Sequence, residues 1–592
     1  MRDEGAVANR FGRHWRWWAL AFWVITAIIL LRDKWSLIQW FALGDTDDNL
    51  RMSQVRALLA GQGWFDLRQY KLDPPGGANV HWSRIVDLPI AGIMLGLKPF
   101  MSGALAEKVA VALAPMIPML LSFLAIGAAA RRLISPNAFA LAIGLLICAH
   151  SARGMWFPLR IDHHGWQLFA LSLVILSFTL RRQARGGVLL GAATAFSLAI
   201  GLEMLLYLAA AGAATVLWWV WDRGQAQRLA AYGVSLAGGT ALGFLLFASY
   251  DNRAAVCDAL SPVWLSTLLV GGAVALTLSR LRAEQIGARL FAAAVGGAIV
   301  AGFYAFTWPH CLTRLEGVSD ELYRLWLSRV REALPIYKHD RGVIAAVLTL
   351  PAFGLIGYGL ALWRSRRDPE QIAPWAVLGT LSLIATALLF WQTRAGPAAQ
   401  LLSIPGATAL AWAAIAWGQR QEALIVRVAV TVVSFFVISG LAVQNIVGLI
   451  PKKENAGQKQ VAQANNKCPT LAGLRPIALQ KPGYVFTHVD LGPRLITVTH
   501  HKAVAGPYHR NQQAILDVMK GFRGSAENAR QIITRRGIDY VLICPGLSET
   551  TIYSAEAPNG FYRQLVGGKV PAWLRPVQQP KDWPYRMWRV VK

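Results

Sequence analysis

Apolar runs close to the ~20 residues needed to cross a bilayer core recur along most of this chain and fix what it can fold into. With 592 residues, 55% of them hydrophobic and 15% charged, and a mean hydropathy of +0.39, it reads as a polytopic α-helical membrane protein. A net charge of +27 would suit nucleic acid if it gathered on one soluble face. Much of it instead lies in short loops between apolar runs, where the positive-inside rule puts it, so no nucleic-acid partner is expected. Five cysteines make neither a metal framework nor a disulfide-dense scaffold. Arg2, Arg10, Arg13 and Arg16 precede an apolar run that lacks a small-residue cleavage site, the pattern of a retained signal anchor.

The first span is expected at 15–31, followed by a long outer loop at 32–104 in which 88–101 is an interfacial or re-entrant segment. Further spans are expected at 106–129, 137–152, from 166 onward, twice within 187–220, and at 230–249, 262–279 and 290–306. After a second outer loop at 307–341 come 343–363, 374–391, 398–416 and 424–450, about thirteen spans in all. Alternation alone puts Arg131, Arg132, Arg181, Arg182, Arg185, Arg223, Arg228, Arg280, Arg282, Arg289, Arg364, Arg366 and Arg367 on the inner side. The arginine content of each inner loop is an independent check on the count.

Residues 1–450 thus form a membrane domain, and 451–592 a small mixed α/β domain on the periplasmic side of a bacterial inner membrane. Within the latter, 452–467 reads as a polar linker, 483–487, 495–499 and 540–544 as strands, and 511–519 and 526–535 as helices. Cys257, Cys311, Cys468 and Cys544 all fall in the oxidising outer compartment, where two disulfides can form in a pairing that sequence leaves open.

Sorting polar residues by face gathers a constellation on the outer side. Asp45, Asp47 and Asp48 crowd the end of the first span, either as the cap and first turn of a helix or as carboxylates relieved by a cation. Arg160-Ile161-Asp162-His163-His164 lies in a later outer loop. Asp162 and His164, at i and i+2, can face one ion from an extended backbone, or can cap a helix. Carboxylate with imidazole suits Mn2+, or Mg2+ filled out by water. Glu332 comes from the second outer loop, with Glu321 and Asp320 as alternatives, and His81 from the first. Arg394 ends an outer span against the charge rule and calls for an anionic partner such as a phosphate. Glu203, inside an apolar run, reads as a buried carboxyl paired between helices, too deep to join them.

This layout resembles the catalytic subunit of oligosaccharyltransferases, within the GT-C superfamily of membrane glycosyltransferases, whose archaeal members carry an Asp-His-His motif. The resemblance covers about residues 10–450. It implies a GT-C-like membrane fold, a catalytic first-loop aspartate at Asp45 or alternatively Asp47, and a divalent metal held by Asp45, Asp162, His164 and Glu332. It further implies that Glu332 positions the acceptor and that Arg394 binds the donor's phosphate. Arg160, His163 and His81 join as further substrate-binding candidates. The Trp-Trp-Asp motif that reads an asparagine sequon is absent, since neither Asp582-Trp583-Pro584-Tyr585 nor Trp588 supplies it.

The expected function is therefore sugar transfer on the periplasmic face from a polyprenyl-(di)phosphate-linked donor to an acceptor that the sequence does not identify. Two other functions fit fewer residues. A transporter or flippase of lipid-linked glycan calls for charges near mid-membrane, where Glu203 is the one good candidate. A non-catalytic envelope-assembly protein would not need intact acid and histidine clusters.

Overall fold

A computed structural model of the chain describes residues 11–451 and 456–591. Arg2, Arg10 and the first part of the expected 452–467 linker lie outside the described residues. Among the described residues, eight helices are long and apolar enough to cross a membrane, and a ninth span is counted if the bent pair Leu424–Ile438 and Leu441–Gly448 is one unit. Shorter apolar helices, Ala138–Cys148, His164–Phe178 and Leu205–Trp221, stand where further spans were expected. The 187–220 run does divide, into Gln183–Ile200 and Leu205–Trp221, at Gly201-Leu202-Glu203-Met204. The 88–101 segment is the helix Asp87–Leu97, which at about 16 Å falls short of a bilayer core.

Helices pack closely where side chains are smallest. A Cβ added to Gly357 would meet the carbonyl oxygen of Gly406 at 1.8 Å, so Arg341–Ser365 and Gly396–Gly418 touch backbone to backbone. Gln400, fully buried, accepts from the backbone of Ser151 and donates to Ala346 and Val347, joining three helical segments. Ile286–Thr307 keeps nearly all of its apolar surface open, as a lipid-facing helix does. Arginines of the expected inner loops also close helix ends. Arg228 donates to Ser177 O in the last turn of one helix and to Leu180 O just past it, and Arg289 to Val220 O at the end of another.

The C-terminal part is built on a five-stranded sheet in the order β2-β1-β3-β5-β4. Here β1 is Tyr484–Phe486, β2 Lys502–Ala503, β3 Tyr540–Ile543, β4 Leu574–Pro576 and β5 Arg586–Val590. β1 runs parallel to β2 and β3, while β5 runs antiparallel to β3 and β4. The helices Gln512–Arg523 and Ala526–Arg536 agree with expectation. Two expectations fail. Residues 495–499 are not a strand but part of the helix Gly492–Val498, whose buried β-branched side chains pack on the membrane half and override strand propensity. The polar stretch Ala456–Lys467 is a helix rather than a linker. The disulfides pair Cys257 with Cys311 and Cys468 with Cys544.

The 307–341 segment folds against this sheet domain. Its Val318, Leu322 and Trp326 share a core with Phe486, Ile515 and Phe522. The Glu321 alternative is engaged by Lys520 at 2.9 Å, and Asp320 by Arg314 at 2.8 Å.

Candidate active site

The site starts at the N-terminus of the helix Thr46–Leu59. Asp45 is its N-cap, its Oδ1 accepting from Asp47 N at 3.2 Å, so the capping role considered for it holds. Its other oxygen is paired with Arg160. Burial pushes the Asp45 carboxyl up, but the Arg160 charge outweighs that and holds it at about 2. Asp48, buried one turn on, accepts Asp162 N at 3.1 Å and stands 3.9 Å from Arg160 Nη1. Residues 114 apart in sequence are thereby tied into one cluster.

Asp47 differs from its neighbours. Among the described residues no hydrogen bond or ion pair engages its carboxylate. Burial, then the charges of Asp45 and Asp162, push it up to about 8. Asp162 has one oxygen on His164 N at 3.1 Å, while its buried Oδ2 has no hydrogen bond and faces Arg160 Nε at 2.8 Å. The preceding Leu159 has φ of +77°, a left-handed backbone rare for a branched side chain. Leu159 N is anchored to Val111 O at 2.8 Å, which turns Arg160 toward the carboxylates.

A second arm leads away from this cluster. The His163 ring packs against His164 with centroids 4.4 Å apart, and His163 Nε2 lies 2.7 Å from Glu203 Oε1. His81 Nε2 is 3.8 Å from the same oxygen, and burial brings that imidazole down to about 4. Gln167 donates to the other Glu203 oxygen. Glu203 is thus a paired carboxyl as expected, but it belongs to the break between two helices and joins the site. His81 is placed by a buried network on the first-loop helix. Arg51 reaches Asp87 at 2.8 Å and lies over the Trp82 ring at 4.8 Å, and Trp82 Nε1 donates to Gln54 Oε1 at 2.7 Å.

The sheet domain closes the site from outside. Tyr508 OH donates to Thr46 O at 3.0 Å, Arg494 Nη1 to Phe41 O at 3.0 Å, and Ser53 and Thr497 hydroxyls meet at 2.8 Å. The loop after β1 then brings Asp490 to the rim of the carboxylate cluster, where lost solvation and then the Asp45 charge push it up to about 6. A small cleft, with room for about one water molecule, is lined by Val86, Ile90, Pro118 and Trp166 together with Arg160 and Asp162.

Asp45, Asp47, Arg160, Asp162, His163, His164 and His81 therefore come together, with Asp48, Glu203, Tyr508 and Asp490 added by the fold. Glu332 and Arg394 meet each other instead, 3.9 Å apart and both exposed, and among the described residues neither bonds to the cluster. Their segments are stitched by Thr393 N to Leu334 O and Ile336 N to Leu389 O, at 2.8 and 2.9 Å. Among the described residues, the metal-ligating trios with all ligand atoms within 4.8 Å lie elsewhere: His81–Asp258–His509 and Cys257–His310–Cys311, the latter with both sulfurs in a disulfide.

No protein-family profile matches the chain, and no curated protein matches it by sequence. Solved structures do match. Archaeal oligosaccharyltransferase AglB from Archaeoglobus fulgidus, in complex with an inhibitory peptide and a dolichol-phosphate, aligns with a TM-score of 0.67 at 14% identity. That alignment covers 93% of this chain and 72% of that one. Archaeoglobus fulgidus oligosaccharyltransferase in complex with Zn and sulfate aligns with a TM-score of 0.60 at 14% identity, over 88% and 67% of the two chains. The chain shares the fold of archaeal oligosaccharyltransferase, the family its loop motifs resemble.

Proposed function

We propose that this protein transfers a sugar or oligosaccharide from a polyprenyl-(di)phosphate-linked donor to an acceptor at the outer face of the membrane. The observation that carries the reading is the meeting of the Asp45–Asp48 turn with the Arg160–His164 loop, tied by Asp162 N on Asp48 and by the Arg160–Asp45 pair. Acidic groups serve the acceptor, and the exposed guanidinium of Arg394 serves the phosphate. The related archaeal enzyme, whose structure holds a dolichol-phosphate, supports the donor class.

Asp47 is the carboxylate best placed to take the acceptor's proton, because Asp45 is already committed to its cap and to Arg160. Asp490, entering from the sheet domain, holds a hydroxyl or amine of the acceptor next to it. Arg394 grips the lipid phosphate. Its exposed contact with Glu332, of a kind worth about 0–1 kcal/mol, exchanges readily for the stronger anion. The Asp162 carboxylate, whose Oδ2 meets Arg160 alone, and the Asp47 carboxyl fit a hard divalent cation, Mn2+ or Mg2+, with His164 as nitrogen ligand and Asp45 alongside. When bound, such an ion neutralises charge on the departing phosphate. Glu332 reaches the ion only if its loop moves inward.

The test is a nanodisc assay with a polyprenyl-diphosphate-linked sugar, following both release of the sugar and movement of the intact lipid between leaflets. Sugar transfer that depends on Asp47 supports the enzyme. Translocation without cleavage would establish a flippase instead.

A further inference from the structure

We infer that His81, Asp258 and His509 form a second metal centre, for a zinc-class ion, at the seam between the outer loops and the sheet domain. One ligand atom from each of the three lies within 4.8 Å of the others. The His81 and His509 rings have centroids 4.9 Å apart, and His509 Nε2 is 2.6 Å from Asp258 Oδ2. Two imidazoles with one carboxylate match the nitrogen-rich sets that hold zinc, whereas the Asp47–Asp162 cluster is oxygen-rich and suits magnesium or manganese. The side chains of His81, Asp258 and His509 are 17%, 10% and 14% exposed, which leaves room for water at a fourth position.

Ligands need bracing from behind, and this trio has it. Arg510 donates to both Asp258 oxygens, at 2.8 and 2.6 Å, and to Asn252 Oδ1 at 2.7 Å. Asn252 in turn donates to His81 O at 3.1 Å. Cys257, beside Asp258, is fixed to Cys311. The three ligands come from three separate segments, so an ion here clamps the sheet domain over the active site. The site does not depend on what reaction the neighbouring cluster performs.

Purified full-length protein, stripped with chelator and returned to nanodiscs, would be titrated with Zn2+ and with Co2+. Wild-type protein is expected to take up one zinc at this site, and cobalt there to show the d–d bands of a four-coordinate, nitrogen-bearing centre. His509→Ala, which leaves the Arg510–Asp258 pair intact, should weaken zinc binding at least about ten-fold and erase the cobalt signal. Asp162→Asn should keep both. Unchanged zinc uptake by His509→Ala, or no zinc uptake by the wild type, would overturn the inference and leave a hydrogen-bonded Arg–Asp–His cluster. If His509→Ala does not fold, the wild-type cobalt spectrum decides alone. Protein that binds zinc here and transfers no sugar would keep the metal centre and remove the transferase reading.

Discussion

Arg160 Nε lies 2.8 Å from Asp162 Oδ2, and the same guanidinium pairs with Asp45 and approaches Asp48. One fixed positive charge therefore holds three carboxylates that would otherwise drive the first loop and the Asp-His-His loop apart. Its removal should destabilise the protein by several kcal/mol. That is toward the lower end of the ~3–5 typical of a broken buried pair, because Arg160 keeps 21% of its side chain open. In Arg160→Met the uncompensated carboxylates should recruit a cation, so Mg2+ or Mn2+ should raise the unfolding temperature more than in wild type. Equal shifts in the two proteins would argue that no cation shares this cluster.

Asp47 and Asp45 should separate by substitution. Asp47→Asn removes a carboxyl whose ionised form nothing in the fold partners, so stability should hold or rise while transfer falls about 100-fold or more. Asp45→Asn keeps a competent cap but loses the pair with Arg160, so its unfolding temperature should drop. A chelator should reduce transfer by wild-type protein without unfolding it. An Asp47→Asn enzyme with full activity, or activity indifferent to chelator, would remove this aspartate or the metal from the mechanism.

Much of this was readable in the sequence where the signal was local. Apolar run length marked the helices, and the break before Leu205–Trp221 was legible because 187–220 is too long for one crossing. Sorting charges by face brought Asp45, Asp47 and Asp162 to the same end of the molecule. What escaped depended on contacts far apart in the chain. Nothing near Asp258 signals that His509 and Arg510 will reach it across more than 250 residues. The helix Gly492–Val498 was misread because Leu-Ile-Thr-Val has strand propensity, and only docking on Thr46–Leu59 shows why it is helical. Asp490 was overlooked for the same reason, since it becomes part of the site only once that helix is seated. Glu203 reads as too deep from its place in an apolar run, and only the break at Gly201-Leu202-Glu203-Met204 brings it to His163.

Arg394 and Glu332 meet at 3.9 Å in an exposed pair. Arg394→Ala should weaken binding of a polyprenyl-phosphate by roughly 1.5–3 kcal/mol, the worth of a charge-assisted hydrogen bond. Arg394→Lys should recover only part of that, because an ammonium lacks the planar fork. Glu332→Gln should leave donor binding equal or tighter, since it frees the guanidinium. Loss of donor binding in Glu332→Gln would show that the glutamate itself supports the ligand. Binding isotherms for the lipid in nanodiscs give all three values.

The sheet domain carries its own acid sensitivity in His488, fully buried among Phe522, Tyr553 and Tyr562. Its Nε2 accepts Cys544 N–H at 3.1 Å and its Nδ1 has no partner. Burial brings the imidazole from 6.5 down to about 3. Between those values the unfolded chain binds a proton that the folded domain refuses. Stability is thus intact above pH 6.5 and is lost progressively as pH falls toward 3. The unfolding temperature of the full-length protein should decline over that window. His488→Phe should flatten the decline even though it leaves the Cys544 N–H without an acceptor and lowers stability by about 1–3 kcal/mol near neutral pH. An unchanged slope in His488→Phe would place the acid-sensitive group elsewhere, and the carboxylates bound to Arg160 and Arg510 would be the next to substitute.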